Sequence, residues 1–246
     1  MSNRDTLFLL PRKELGNWKF DAEVVEVFPD MIQRSIPGYS NLISMIGLLS
    51  RHCVQSNSLI YDLGCALGAA VVSIQKNIKV IGCKIIAVDN SSSMTNRCRH
   101  YMNSFNFNTP VEVLTMDACQ VPIHNASLVL LNFTLQFIPI DNRQRLLDSI
   151  WNGMNPKGVL VLSEKLSFSD QEIESLFLKT HYDFKRDNGY SALEIQQKSK
   201  MLNSVMITET LDVHKKRLEK SGFQNYELWF QSINFGSLLA FKRNLN

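Results

Sequence analysis

The chain has 246 residues, of which 45% are hydrophobic and 20% charged, an ordinary globular composition that excludes a disordered or fibrous protein. A formal net charge of +3 is too small to indicate a nucleic-acid-binding surface, so we expect no direct contact with nucleic acid. Five cysteines without a C-x-x-C pair favour a reducing compartment. Because no apolar run is long enough for a signal-peptide core or a membrane span, we expect a cytoplasmic protein that does not contact a membrane.

Residues 1–57 are predicted to form a helical cap that precedes the first strand. Asp21 is a candidate N-cap for the first helix, and Pro29 is expected to end that helix and begin a shorter one. A further helix is predicted after the turn at Pro37. Tyr39 directly follows this turn, where packing of its ring in the core is the simplest interpretation.

The stretch over 59–70 reads LIYDLGCALGAA, which predicts a buried strand ending near Asp62, a tight turn, and a helix beginning near Gly68. Its pattern D-x-G-x-A-x-G differs from the G-x-G-x-x-G of dinucleotide sites by an acid two residues before Gly64. A carboxylate there repels a pyrophosphate but suits a cation, such as the amino and sulfonium groups of S-adenosylmethionine (SAM). The alternative is an ordinary strand-to-helix turn with a capping aspartate.

Two further strands are predicted to end in acids. The second ends at Asp89, roughly 25 residues after the glycine turn, where α/β nucleotide sites place the acid that binds the ribose hydroxyls. The alternative is that Asp89 or Ser91 only caps the next helix. The third ends at Asp117, which can accept the exocyclic amine of adenine, while the small Ala118 leaves room for the ring. Asp117 is otherwise a loop acid.

A fourth apolar run over 126–133 is typical of a central parallel strand, and it contains Asn132. A buried amide needs a partner, which is either a ligand at the strand ends or a neighbouring backbone group. The alternation of strands and helices predicts an α/β fold with a doubly wound, mostly parallel sheet. Ligands of such sheets bind beyond the carboxyl ends of the strands, where these polar residues fall: Asp62, Asp89, Asp117 and Asn132.

Residues 164–208 interrupt the alternation and are predicted to form a helical insertion. It is either a lid or dimerisation element, or a helix pair with a solvated charged face. After a helix stopped by Gly222, strands over 226–232 and 236–241 are predicted to form a C-terminal antiparallel hairpin. Residues 1–246 are therefore predicted to form a single SAM-binding α/β domain, with the Rossmann-like architecture of class I SAM-dependent methyltransferases.

Sequence blocks along almost the whole chain carry a more specific resemblance. They are RDTLF from Arg4, VFPDMIQRS from Val27, PGYSN from Pro37, YDLGC from Tyr61, LNFTLQF from Leu131, LSEK from Leu162, DFKR from Asp183 and ELWFQ from Glu227. On these blocks the chain is similar to the bacterial carboxy-S-adenosyl-L-methionine (carboxy-SAM) synthase family, a branch of the class I methyltransferase superfamily. The resemblance implies a cytoplasmic homodimer that converts SAM and prephenate to carboxy-SAM and phenylpyruvate. The product then serves a downstream tRNA carboxymethyltransferase that modifies the wobble uridine of certain tRNAs (cmo5U).

The resemblance also implies which residues hold the cofactor. They are Tyr39, Gly64, Cys65, Ala66, Asp89, Asn90, Asp117, Ala118 and Asn132. Members of the family also have an arginine that reaches across the dimer to the new carboxylate of carboxy-SAM. At the corresponding position this chain has Ser199, which is followed by Lys200. A serine lacks the guanidinium fork that matches a carboxylate, so the role does not transfer to Ser199. Lys200 is the candidate carboxylate contact, although neighbouring residues of a helix point in different directions.

In the mechanism that the family suggests, prephenate loses its ring carboxyl as carbon dioxide. A base generated in the process deprotonates the sulfonium methyl, and the resulting ylide captures the carbon dioxide. Such chemistry needs proximity and exclusion of water, which agrees with a sequence that offers no catalytic dyad and no metal-ligand spacing among its five histidines. Catalytic residues are therefore not assigned and no metal is predicted. Two alternatives stay open: a small-molecule SAM-dependent methyltransferase, and a non-catalytic SAM-binding subunit that lacks the arginine.

Overall fold

The computed structural model describes residues 3–12, 16 and 18–243, and eight helices and eight strands account for most of them. The helices are α1 (Ala22–Ser35), α2 (Tyr39–Cys53), α3 (Ala69–Gln75), α4 (Ser92–Met102), α5 (Ile140–Gly153), α6 (Gln171–Asp187), α7 (Ala192–Leu202) and α8 (Leu211–Ser221). The strands are β1 (Leu59–Leu63), β2 (Lys84–Asp89), β3 (Val111–Thr115), β4 (Ala126–Asn132), β5 (Met154–Ser167), β6 (Glu209–Thr210), β7 (Asn225–Ser232) and β8 (Phe235–Phe241). None of the helices over the described ranges is long and apolar enough to cross a membrane.

The strands form one sheet in the order β3-β2-β1-β4-β5-β8-β7, with the short β6 paired to the end of β5. β1 to β5 are parallel, whereas β8 runs antiparallel to both β5 and β7. This arrangement confirms the predicted mostly parallel sheet with a C-terminal antiparallel hairpin. The strand order reverses between β1 and β4, and such a switch point opens a crevice at the carboxyl ends of the strands.

The sheet is buried on both faces because helices cover each side. Alternate residues of β4 point to opposite faces, so Leu128 and Leu130 pack with α2 and α3, whereas Val129 and Leu131 pack with α5 and α8. Each of these four side chains is completely buried, which stabilises the fold by about 1.5–3 kcal/mol per side chain. The two clusters explain why β4 reads as a continuous apolar run rather than as an alternating one.

A third apolar cluster joins the segment before α1, α1 itself and α4. Within the predicted cap 1–57, residues 1–2, 13–15 and 17 lie outside the described residues. The predicted helix break at Pro29 is wrong, because α1 continues through it. The proline removes one backbone donor, but burial of Val25 and Met31 on either side holds the helix together.

The segment over 155–158 contains a proline and a glycine, as a turn would, but lies inside β5. Lys157 has a left-handed backbone (φ 64°), and the pairing with β4 shifts register nearby. The strand nevertheless continues, because Lys157 N–H donates to the Lys242 carbonyl (2.7 Å) and Lys242 N–H donates to the Gly158 carbonyl (3.0 Å). β5 also runs to Ser167, so the first residues of the predicted insertion 164–208 belong to the sheet.

Arg143 of α5 is completely buried and connects the start of α5 to the end of the insertion. Its guanidinium forms an ion pair with Glu209, which also binds Arg217 at 2.7 Å. Burial acts to raise the pKa of Glu209, but the two arginines outweigh it and hold that pKa below its ordinary value. The guanidinium also donates to three backbone carbonyls: Ile138 (2.8 Å), Gln136 (3.2 Å) and Ile207 (2.9 Å).

Replacement of Arg143 by leucine is expected to lower the free energy of unfolding by about 3–5 kcal/mol, because it removes one of the two arginine partners of Glu209 and three hydrogen bonds from a buried guanidinium to backbone carbonyls. Arg145→Leu is the matched control, since Arg145 lies on the same helix and is exposed. Urea denaturation of both variants checks this. Equal losses in the two variants would contradict the structural role of the buried network.

Candidate functional site

A cavity of about 290 Å³ opens at the carboxyl ends of β1 to β4, beneath α1 and the insertion helices. Its volume is close to the lower end of the roughly 300–1,000 Å³ found for small-ligand sites, which fits a nucleoside-sized molecule. The structure brings all of the predicted cofactor-binding residues to this one cavity: Tyr39, Gly64, Cys65, Ala66, Asp89, Asn90, Asp117, Ala118 and Asn132. Four separate strand tips and the start of α2 contribute them.

The turn after β1 is held by the tip of β2. The N–H groups of Gly64 and Cys65 both donate to the Val88 carbonyl, at 2.7 and 2.9 Å. Gly64 has φ 87°, and a Cβ added there would lie 2.9 Å from the Cβ of Thr134, well inside van der Waals contact. Only glycine fits this backbone and this approach. The turn therefore leaves its backbone open to the cavity.

Asp89 ties the second strand tip to the same turn. One carboxylate oxygen accepts the Ala66 N–H (3.0 Å), and the other accepts the Ser91 N–H (2.9 Å). The cap of α4 is Ser91, whose hydroxyl accepts the Met94 N–H, so Asp89 is not needed as the cap. Burial raises the pKa of Asp89, while the two backbone donors oppose that rise. Each carboxylate oxygen keeps a free lone-pair site for a ligand hydroxyl.

Asp62 lies deepest among the acids, with 2% of its surface exposed. Within the described part of the chain no group donates a hydrogen bond to its carboxylate. Burial, together with the charge of Asp89, raises the pKa of Asp62 to about 7. The neighbouring Tyr39 stays a neutral phenol, because burial and the charge of Asp62 raise its pKa. A cationic ligand would supply the positively charged partner that the Asp62 carboxylate lacks among the described residues.

Asn132 and Asp117 complete this end of the cavity. The Oδ1 atom of Asn132 is buried and accepts no hydrogen bond from any described residue, a state that costs about 1–3 kcal/mol. Such an unpaired acceptor fits a ligand that donates, such as an ammonium group. Asp117 is exposed and accepts the Cys119 N–H (2.8 Å), which caps the short helix Ala118–Gln120. Asp117 therefore has a structural role in its loop, and it also lines the cavity.

The opposite end of the cavity is basic, which the sequence analysis missed. Its lining includes Lys165 of β5, His181 and Lys185 of α6, and Lys198 of α7. Lys165 and Lys185 lie in the LSEK and DFKR blocks quoted above, but charged residues on a predicted helical insertion gave no sign that they face inward. Ser199 lines this end as well, whereas Lys200 is exposed and does not line the cavity of its own chain. A contact from Lys200 to a second protomer stays a prediction.

Gly64→Ala is expected to lower the free energy of unfolding by about 1–3 kcal/mol, because alanine is strained at this positive φ and its methyl group collides with Thr134. Gly16→Ala is the control, since a Cβ there meets nothing within 4 Å. Chemical denaturation of the two variants measures the difference. A Gly64→Ala variant as stable as the control would show that the turn is not constrained in this way.

A family model described as a methyltransferase domain matches residues 60–158 of the chain. The carboxy-S-adenosyl-L-methionine synthase of Erwinia tasmaniensis is 59% identical over 242 residues, which cover 98% of each chain. The enzyme of the same name from Cronobacter sakazakii is 58% identical, again with 98% of each chain covered.

Among solved structures, human N-acetylserotonin methyltransferase in complex with SAM superposes with a TM-score of 0.60 at 19% sequence identity. The match covers 91% of this chain and 56% of the human one. This likeness concerns the fold, which is that of the class I methyltransferases. On its close identity to curated relatives over nearly its full length, the chain belongs to the carboxy-S-adenosyl-L-methionine synthase family.

Proposed function

We propose that the protein converts SAM and prephenate to carboxy-SAM and phenylpyruvate. The observation that carries the proposal is a single cavity with acids on the strand tips at one end and lysines at the other. The acidic end suits a sulfonium nucleoside, and the basic end suits an anionic second substrate. Membership of the carboxy-SAM synthase family supports the same reaction, since a relative of that name is 59% identical.

The acidic end offers a partner for each part of SAM. Asp89 accepts the ribose hydroxyls beside the glycine turn, and Asp117 accepts the exocyclic amine of adenine with Ala118 under the ring. The unpaired Oδ1 of Asn132 accepts from the ammonium group, and Asp62 balances the positive charge. These groups bind and orient SAM, and none of them has to exchange a proton during the reaction.

The reaction balances without a further reactant. Prephenate releases its ring carboxylate as carbon dioxide and its ring hydroxyl as hydroxide, which leaves phenylpyruvate. The hydroxide takes a proton from the sulfonium methyl and becomes water, and the methyl carbon then bonds to the carbon dioxide. The protein has to keep these species together and exclude bulk water. Packed rings help to close the cavity, since Phe20 contacts Trp18 (centroids 5.9 Å apart) and Phe137 (5.5 Å).

We also propose that the protein is a cytoplasmic homodimer whose product serves a tRNA carboxymethyltransferase. The resemblance to the family supports both parts of this proposal. The exposed side chain of Lys200, beside the cavity-lining Ser199, is available to reach the carboxylate in a second protomer. Neither part requires the chain itself to contact nucleic acid.

The reaction is tested with prephenate labelled with ¹³C in its ring carboxylate. Purified protein incubated with SAM and this substrate is expected to give labelled carboxy-SAM, detected by mass spectrometry, and none when prephenate is omitted. Release of S-adenosylhomocysteine with a methyl acceptor would instead indicate a small-molecule methyltransferase. Binding of SAM without turnover, with activity gained in Ser199→Arg, would indicate a non-catalytic subunit.

The affinity for SAM is expected to rise about tenfold per pH unit between pH 5.5 and 7 and then to level off. The pKa of Asp62 in the free protein is about 7, and the cationic ligand favours the carboxylate, so binding below pH 7 must release a proton. Calorimetry across this range measures the effect. Asp62→Asn should remove most of the dependence, and a variant with an unchanged pH profile would contradict the role of Asp62.

A further inference from the structure

Two lysines at the basic end of the cavity have no ion-pair partner among the residues that the structure describes. Lys185 is 8% exposed, and its ammonium makes neither a hydrogen bond nor an ion pair to any described residue. Lys165 is half-buried, and its ammonium likewise makes no hydrogen bond or ion pair to a described residue, although its backbone N–H donates to the Oε1 of Gln136 (3.0 Å). The charge of Glu174 acts to raise the pKa of Lys165, but burial lowers that pKa overall. Glu174 forms no ion pair with Lys165 and instead accepts the Phe168 N–H at 2.8 Å.

Lys198 shows what a satisfied lysine looks like in the same place. It is 6% exposed, its ammonium lies 3.4 Å from the Oδ2 of Asp5, and it donates to the Ser35 hydroxyl at 3.0 Å. It also lies over the ring of Tyr190, 5.2 Å from the centroid. Among the described residues, Lys185 has only the ring of Tyr182, at 5.7 Å. Over the described ranges, therefore, one of the three cavity lysines is neutralised by an acid and the other two are open to a ligand.

The neighbours of Lys185 increase its need for an anion. Burial, together with the positive charges of Lys165 and Lys198, lowers its pKa to about 7. His181, one turn earlier on α6, adds no compensating charge, because burial lowers its pKa to about 3 and keeps the ring neutral. Its Nε2 donates to the Ser35 carbonyl at 2.8 Å, so Nδ1 carries a lone pair that no described residue uses. An anion between these lysines would remove the repulsion.

We propose that Lys165 and Lys185 together bind the carboxylate of the second substrate that is retained in the product. The identity of that substrate rests on the proposed function, in which prephenate carries two carboxylates and phenylpyruvate keeps one. The carboxylate that leaves must become neutral carbon dioxide, and a paired ammonium would hold it in its charged form. The lysine pair therefore binds the pyruvate-type carboxylate, and the leaving group is directed toward the acidic end of the cavity, where the sulfonium methyl lies.

The test measures binding of phenylpyruvate to protein saturated with S-adenosylhomocysteine, because this pair cannot react. Titration calorimetry is expected to show binding to the unmodified protein and a dissociation constant at least about tenfold higher in Lys165→Gln and in Lys185→Gln. Lys179→Gln is the matched control, since Lys179 is exposed on α6, outside the cavity lining. The affinity for S-adenosylhomocysteine should change less than about twofold in all three variants.

Thermal unfolding separates this role from a structural one. Lys185→Gln removes an uncompensated buried charge, so its melting temperature is expected to stay level or rise, whereas a structural lysine would lower it when replaced. Phenylpyruvate binding that is absent from the unmodified protein, or equally tight in both cavity variants, overturns the inference. Lysine-dependent phenylpyruvate binding without formation of carboxy-SAM would retain this site and refute the proposed reaction.

Discussion

The Val88 carbonyl accepts hydrogen bonds from two successive N–H groups, those of Gly64 and Cys65, and the rest of the site depends on this junction. It holds the tip of β1 against the tip of β2, and Asp89 reinforces it by accepting the Ala66 N–H. The turn is compact enough to exclude a side chain at position 64, so its backbone faces the cavity directly. The two acids at these tips are thereby fixed close together, and the charge of Asp89 contributes to the raised pKa of Asp62.

The cavity has two ends of opposite charge that come from different parts of the fold. The acidic end is built on the strand tips of a parallel sheet that is buried on both faces. The basic end is built on the extension of β5 and on the insertion helices α6 and α7. Buried ionisable groups without partners among the described residues, such as Asp62 and Lys185, lower the stability of the free protein. Their presence in one cavity is explained by binding of a cation beside an anion.

Much of the acidic end could be predicted from the sequence, because its signals are local. Apolar runs ending in an acid mark strand tips, and parallel strands bring those tips to one edge of the sheet, so Asp62, Asp89 and Asp117 follow from pattern alone. The unbroken helix through Pro29 could not be predicted, since burial on both sides of the proline outweighs its local preference. The strand through Lys157 likewise depends on pairing with Lys242, which is 85 positions away in the printed sequence.

The basic end could not be predicted because its residues meet only after the insertion folds. Lys165 and Lys185 are separated by most of α6, and a charged helix is usually solvated on that face. Burial, rather than charge, marks Lys185 as exceptional, and burial of a single lysine leaves no periodic signal in the sequence. The sequence blocks that carried the family resemblance do contain both lysines, but a resemblance assigns no role to residues that the family pattern does not name.

A crystal structure with S-adenosylhomocysteine and phenylpyruvate bound together is the most direct test of this two-ended cavity. The account predicts the ribose hydroxyls on Asp89 and the phenylpyruvate carboxylate on Lys165 and Lys185, each within about 3 Å. A nucleoside bound away from the strand tips, or a carboxylate that contacts neither lysine, would contradict it.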